Sequence, residues 1–490
     1  MGKDIEKPAV AFHEHLETNC VAQCSKRTQK LLQEYQGWAI VCVSALMYIP
    51  VLGVLYNYNL LFVRLQEEFD SGAGETGWIG CIAIALLTLP SPLSTYLAER
   101  ITYRGVVALG FLMCSGGLFV TSFMPAIKYI FFSYSIVFGL GTNFIQHPSL
   151  SLIVLYFDEK KCAKATGLAI TGTGAGIMAI SQILEVLFNA VGWRGALRVM
   201  SGLILPVGLV CCVFLKSPPK NNNIDYKPVK NIEEYSSKDV ETGCGKDTKK
   251  VCVEVVYAEL ESKSFLQRYC QFIKTVECWL VIFSYTGMGI AVVFSYVNLA
   301  SFMKSVGFSD DQGSMAIGVM GGADLFGRLF VTLLGGKLPI SVAGMYILAC
   351  VIGAIPIAPL PFVTTFTGVV ISYAVLSLAR AVTLCYQYAF CVDVFPSESK
   401  VQACTMAVCS FGVGSLFATG VGGMMYEMTG TYDLSFYICA GLHVFAALIN
   451  YILLYRKRCR NRLYREFYDE QPIAFTYEEI TVVDAYVTTV

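Results

Sequence analysis

Long apolar stretches, separated by short polar ones, run almost the whole length of the chain. A helix rises 1.5 Å per residue, so about 20 apolar residues cross the ~30 Å hydrocarbon core of a bilayer. Along the 490 residues that length predicts twelve crossings: 37–63, 77–97, 105–124, 129–156, 166–190, 196–215, 278–303, 313–334, 340–358, 361–392, 401–424 and 433–455. They form two groups of six, a bundle over 37–215 and a second over 278–455. A polar linker, 216–277, joins them, with one short helix expected near its end. Polar tails occupy 1–36 and 456–490. The expected fold class is an all-α membrane protein of twelve transmembrane helices in two six-helix bundles, embedded in a lipid bilayer.

Composition supports this reading. Charged residues are only 15% of the chain and hydrophobic ones 55%, whereas soluble domains carry about 25% charged residues to cover their surface. The 36 basic and 36 acidic residues cancel, so no net field points to nucleic acid. Most of the 19 cysteines lie inside apolar runs, where they pack as small hydrophobes. None shows CxxC or Cys/His spacing, so neither a metal site nor a cofactor is expected, and no paired nucleophile and base marks an enzyme.

Lysine and arginine set the orientation. With twelve crossings both tails and the linker share one side. Short loops on that side hold seven basic residues, Arg100, Arg104, Lys160, Lys161, Lys164, Lys337 and Lys400; those opposite hold four, Arg64, Lys128, Arg194 and Lys304. Both termini are therefore expected to be cytoplasmic. Two six-span halves joined by a cytoplasmic linker match the major facilitator layout, in which the halves rock about a midplane cavity.

Charges inside the crossings are the sharpest chemical signal. Asp324 and Arg328 fall in the middle of span 8, four residues apart and so on one helical face. A charge at a helix centre costs about 2.5–3.5 kcal/mol on insertion scales, so both should face a cavity. Arg380 in span 10 is a second intramembrane cation. It would either extend an anion site or hold a helix rich in acceptors. His147 in span 4 shares a face with Asn143. It reads as a packed neutral histidine or as a cavity hydrogen bond or proton relay.

Several stretches resemble the monocarboxylate transporter family (solute carrier family 16). The start of span 5, Tyr156-Phe157-Asp158-Glu159-Lys160-Lys161-Cys162-Ala163-Lys164-Ala165-Thr166-Gly167, continuing through Ala169, Gly172 and Gly176, is similar to the family pattern YFxKRRxLAxGxAxAG. Around it stand Gly139-Leu140-Gly141 and Pro148 in span 4, Gly192-Trp193-Arg194-Gly195 before span 6, and Gly430-Thr431-Tyr432-Asp433 after span 11. The family's span 1 signature survives as Gln36-Gly37-Trp38-Ala39, with Glu34 the nearest carboxylate. The resemblance implies a plasma-membrane carrier of a carboxylate-bearing organic solute working by alternating access. Arg328 would bind the carboxylate, and Asp324 would pair with it in the empty site and serve in proton coupling. Read from their own positions in the spans, Arg380, Tyr56, Asn143 and His147 are further candidates to line the site, and some relatives need a single-span accessory glycoprotein. Lys160, Lys161 and Lys164 would anchor the cytoplasmic end of span 5 or form a gating contact between the halves.

Lactate-type relatives carry a lysine in the outer half of span 1, where this chain has about Tyr56 in Tyr56-Asn57-Tyr58-Asn59. Its absence weakens the expectation of proton symport. Tyr56 and Asn59 share a helical face, and if that face lines the cavity they favour a larger substrate than lactate. A proton-independent uniporter of aromatic or other amino acids is the nearest alternative, and a non-transporting sensor or adaptor is one of another class. The small glycines of span 5, Gly167, Gly172, Gly174 and Gly176, predict a close helix crossing. The terminal Thr488-Thr489-Val490 fits a PDZ ligand.

Overall fold

The computed structural model describes residues 32, 34–157, 159–216, 265–334, 338–396 and 399–470. The first half comprises α1 (Glu34–Phe69), α2 (Ala73–Leu86 with Ser91–Arg100), α3 (Tyr103–Thr121) and α4 (Ile127–Ile130, Phe131–Phe138 and Gly139–Tyr156), followed by α5 (159–191) and α6 (193–212). The second half comprises α7 (Val276–Val297 with Leu299–Ser305), α8 (Asp310–Leu334), α9 (Val342–Ile357), α10 (Phe366–Val394), α11 (Lys400–Thr429) and α12 (Asp433–Glu470). By length and hydropathy alone nine described helices qualify as spans, ten with the two parts of α2 joined. The 52-residue stretch Lys161–Cys212 is itself two crossings, broken at Gly192, and α4 is divided by the π-helical segment Phe131–Phe138. Twelve crossings result, in a multi-pass membrane protein.

Helix termini near Glu34, Lys216, Glu277 and Arg456 gather at one end, called here the tail side. There Glu34 pairs with Lys161, the Tyr156 hydroxyl donates to the Lys216 carbonyl, and Arg456 Nε donates to Glu277 at 2.9 Å. The linker's end forms the amphipathic helix Phe265–Ile273, with Tyr269 and Phe272 buried and Leu266 exposed. The C-terminal tail, expected to begin at 456, is instead helical through Glu470. Backbone bonding continues in water, and the extension is pinned by Lys457 to Asp393 at 2.7 Å and by Arg460 to the Val394 carbonyl at 3.1 Å. The PDZ-like terminus lies outside the described residues.

The glycines of α5 serve two neighbours. A Cβ on Gly172 would stand 2.1 Å from the Ala45 carbonyl oxygen, and one on Gly176 would stand 2.4 Å from that of Ile49, so α1 and α5 cross backbone to backbone. One turn round, Gly174 meets Leu325 and Gly167 meets Thr332, both on α8. At Gly192 the backbone turns with φ +69°, a conformation glycine adopts without steric cost. The turn delivers Trp193 and Arg194 to Glu68, and Arg194 also donates to the Ser122 and Met124 carbonyls at 3.0 Å. That corner ties the far-side ends of α1, α3, α5 and α6 together.

Three further helices are irregular inside the membrane. Pro90 lacks an N–H, and the two parts of α2 bend by 44° around it. The Ser91 N–H bonds to the Thr88 carbonyl rather than to that of Leu87, and the Leu87 carbonyl accepts from Asn143 Nδ2 at 2.7 Å. In α1, Asn57 leaves helical geometry (φ −94°, ψ 22°), and its Nδ2 donates to the carbonyls of Gly53 at 2.8 Å and of Ile177 on α5 at 2.9 Å. In α7, Asn298 makes the same kind of break, with Nδ2 donating to the Phe294 carbonyl at 3.1 Å.

The halves are joined on the tail side. Thr95 of α2 and Thr405 of α11 are 3.1 Å apart, and the Thr166 hydroxyl of α5 donates to the Cys385 carbonyl of α10 at 3.2 Å. Arg268 of the linker helix pairs with Glu99 of α2. Nearer the far-side end of α8, Gly318, Gly321 and Gly322 are exposed, and a Cβ on any of them would meet nothing within 4 Å.

Candidate functional site

Asp324 and Arg328 lie about midway along α8, and Arg380 lies at the middle of the 29-residue α10. Asp324 and Arg328 are each 3% exposed. Such burial is tolerable only with compensation. Arg328 Nε donates to Asp324 Oδ2 at 2.7 Å, and Arg328 Nη1 to the Ile170 carbonyl of α5 at 3.3 Å. The other carboxylate oxygen, Oδ1, lies 3.0 Å from Arg380 Nη2 but off the line of its N–H bonds, so the contact is an ion pair rather than a hydrogen bond. Arg380 Nε is buried without an acceptor among the described residues.

Aromatic groups complete the enclosure. The Arg380 guanidinium stacks on the Tyr296 ring of α7, 3.7 Å from its centroid, a cation–π contact. The Tyr296 hydroxyl donates to Ser377 on α10 at 2.8 Å. Tyr56, half-buried on α1, lies within electrostatic reach of Arg380, Arg328 and Asp324. Five helices thus meet here: α1, α5, α7, α8 and α10. Arg380 is the more accessible cation, with 13% of its side chain exposed against 4% for Arg328.

Asp324, Arg328, Arg380 and Tyr56, singled out from the sequence, are brought together. His147 and Asn143 are placed differently. His147 sits in the tail-side junction: its Nδ1 is 2.9 Å from the Tyr388 hydroxyl of α10, and its Nε2 is 3.0 Å from Thr95 and 3.4 Å from Thr405. It therefore bridges the halves where they are closed. Asn143 supports the break in α2. Asn57 is spent on backbone carbonyls, and because the helix is interrupted there, Tyr56 and Asn59 do not continue one face; Asn59 is exposed. Lys161 pairs with Glu34, and Lys164 Nζ lies 5.8 Å from the Trp38 ring centroid, so both fasten α5 to the start of α1. The side chain of Lys160 lies outside what the structure describes.

Sequence reasoning missed Tyr296. Its signal was available: Tyr56 precedes Asn57, and Tyr296 comes two residues before Asn298. In corresponding spans of the two halves a tyrosine sits just ahead of a helix-breaking asparagine, and interrupted helices at corresponding places are where membrane binding sites form.

A family model described as Major Facilitator Superfamily matches residues 43–407. Among curated proteins, mouse monocarboxylate transporter 12 is 23% identical over 454 residues, covering 89% of both chains. Human monocarboxylate transporter 1 is 24% identical over 469 residues, again covering 89% of both. Among solved structures, a major facilitator proton:xylose symporter, XylE, has a TM-score of 0.62 at 14% identity, covering 87% of this chain and 96% of that one. The E. coli fucose:proton symporter FucP also has a TM-score of 0.62, at 11% identity, covering 85% and 98%.

Proposed function

The chain belongs to the Major Facilitator Superfamily and is related to the monocarboxylate transporters, and from that membership we propose that it carries a carboxylate-bearing organic solute across the plasma membrane by alternating access. One observation carries the substrate class: a buried midplane cluster with two arginines and one aspartate, short of one negative charge. A carboxylate supplies that charge and offers two oxygens to the forked donors of arginine. Arg328 and Arg380 hold it, and Asp324 holds both arginines when the site is empty. With the tails cytoplasmic, as the basic loops argue, the far side is extracellular and the halves are joined on the cytoplasmic side. An incoming anion meets Arg380, Tyr296 and Tyr56 before Arg328. The two tyrosine rings favour a substrate with an aromatic or other apolar body over a three-carbon acid.

The charge requirement is testable in proteoliposomes. Uptake of phenylpyruvate is expected to saturate, and its uncharged amide is expected neither to be carried nor to compete. Equal competition by acid and amide would refute the carboxylate reading.

A further inference from the structure

Asp324 is outnumbered. Its two oxygens face Arg328 Nε at 2.7 Å and Arg380 Nη2 at 3.0 Å, which leaves the cluster with one uncompensated positive charge. Among the described residues, the groups packed around it add none: Tyr296 from α7, Tyr56 from α1, Ser377 and Cys385 from α10, and the Ile170 carbonyl of α5. Phenols and thiols are neutral near pH 7. The surplus charge therefore belongs to the arginines alone.

Net charge buried at the membrane midplane is costly, so the loaded site should be the neutral one. With Asp324 and Arg328 alone, the empty site would be neutral and a bound carboxylate would leave it negative. A proton taken up by Asp324 from the same side would restore neutrality, and it would have to leave with the substrate on the other side. With Arg380 present, the carboxylate itself completes the balance. Adding a proton would then leave the loaded site positive again. We infer that Arg380 takes the place of a co-transported proton, so that the substrate crosses as the bare anion. This inference rests on the carboxylate reading above and adds its energetics. Geometry supports it: Arg380 is the more exposed of the two cations, stacks on Tyr296, and holds a buried Nε without an acceptor among the described residues.

Proteoliposomes separate the two driving forces. Phenylpyruvate is a suitable probe because an α-keto acid stays ionised between about pH 6 and about pH 8. For the wild type, a potassium diffusion potential, positive inside, is expected to drive accumulation, up to about tenfold for ~60 mV. An acid-outside gradient at zero potential is expected to drive none. Arg380→Gln should acquire the opposite driving force: at whatever reduced rate it carries the probe, its end-point accumulation should follow the acid gradient, approaching about tenfold per unit of pH gradient. Wild-type accumulation driven by the acid gradient overturns the inference and leaves the carboxylate reading standing. No saturable phenylpyruvate uptake overturns both. Should Arg380→Gln fail to insert, the wild-type gradients still decide.

Discussion

Arg328→Lys is expected to lower carboxylate uptake by about 100-fold or more while the protein still reaches the membrane. Lysine keeps the positive charge, so the buried Asp324 retains a partner and insertion is not penalised. What disappears is the planar fork. Arg328 uses Nε for Asp324 and Nη1 for the Ile170 carbonyl, an arrangement that fixes the guanidinium plane across the site. A lysine ammonium reaches from one point and cannot present two parallel donors. Hydrogen bonds to charged groups contribute about 1.5–3 kcal/mol each, so losing one to two of them accounts for the expected factor. Initial-rate uptake beside surface biotinylation measures both quantities. Near-normal uptake at normal surface abundance would remove Arg328 from the binding role.

Gly172→Val is expected to prevent the fold from assembling. Its Cβ would lie 2.1 Å from the Ala45 carbonyl oxygen and 2.7 Å from the carbonyl carbon, backbone atoms that no side-chain rotation can move. Relief requires α1 and α5 to separate, which breaks the neighbouring contact at Gly176 and displaces Tyr56. Overpacking of a tight interior typically costs about 1–3 kcal/mol, and a clash with backbone belongs at or above that upper end. Gly322→Val on α8, where a Cβ would meet nothing within 4 Å, is the matched control and should be tolerated. Size-exclusion profiles of solubilised protein distinguish them. A monodisperse Gly172→Val variant as stable as the control would contradict the close α1–α5 crossing.

The features legible in the sequence are those that depend on local composition. Crossing length follows from apolar runs, and Asp324 with Arg328 stands out because charge is rare inside them. The glycine spacing of α5 likewise announced a close crossing, though not that α1 and α8 share its faces. Long-range geometry was hidden. The i, i+4 spacing of Asp324 and Arg328 shows on one helix, but nothing local says that Arg380 on α10 reaches the other oxygen of the same carboxylate. Pro90 is a breaker visible in the sequence. The interruptions at Asn57 and Asn298 were hidden, because an apolar run reads as continuous helix even where a side-chain amide takes over backbone carbonyls. That is why Tyr56 and Asn59 were expected on one face. His147 illustrates a further limit: a mid-span histidine has the same local sequence whether it lines a cavity or, as here, bridges Thr95, Tyr388 and Thr405 between the halves.

The most direct test is a cryo-electron microscopy map of the carrier with phenylpyruvate bound. Carboxylate density is predicted between the guanidinium groups of Arg328 and Arg380, within hydrogen-bond reach of both, with the phenyl ring against Tyr56 or Tyr296. Density elsewhere, with the three-residue cluster of Asp324, Arg328 and Arg380 unchanged from the empty state, would contradict the assignment of this cluster as the binding site.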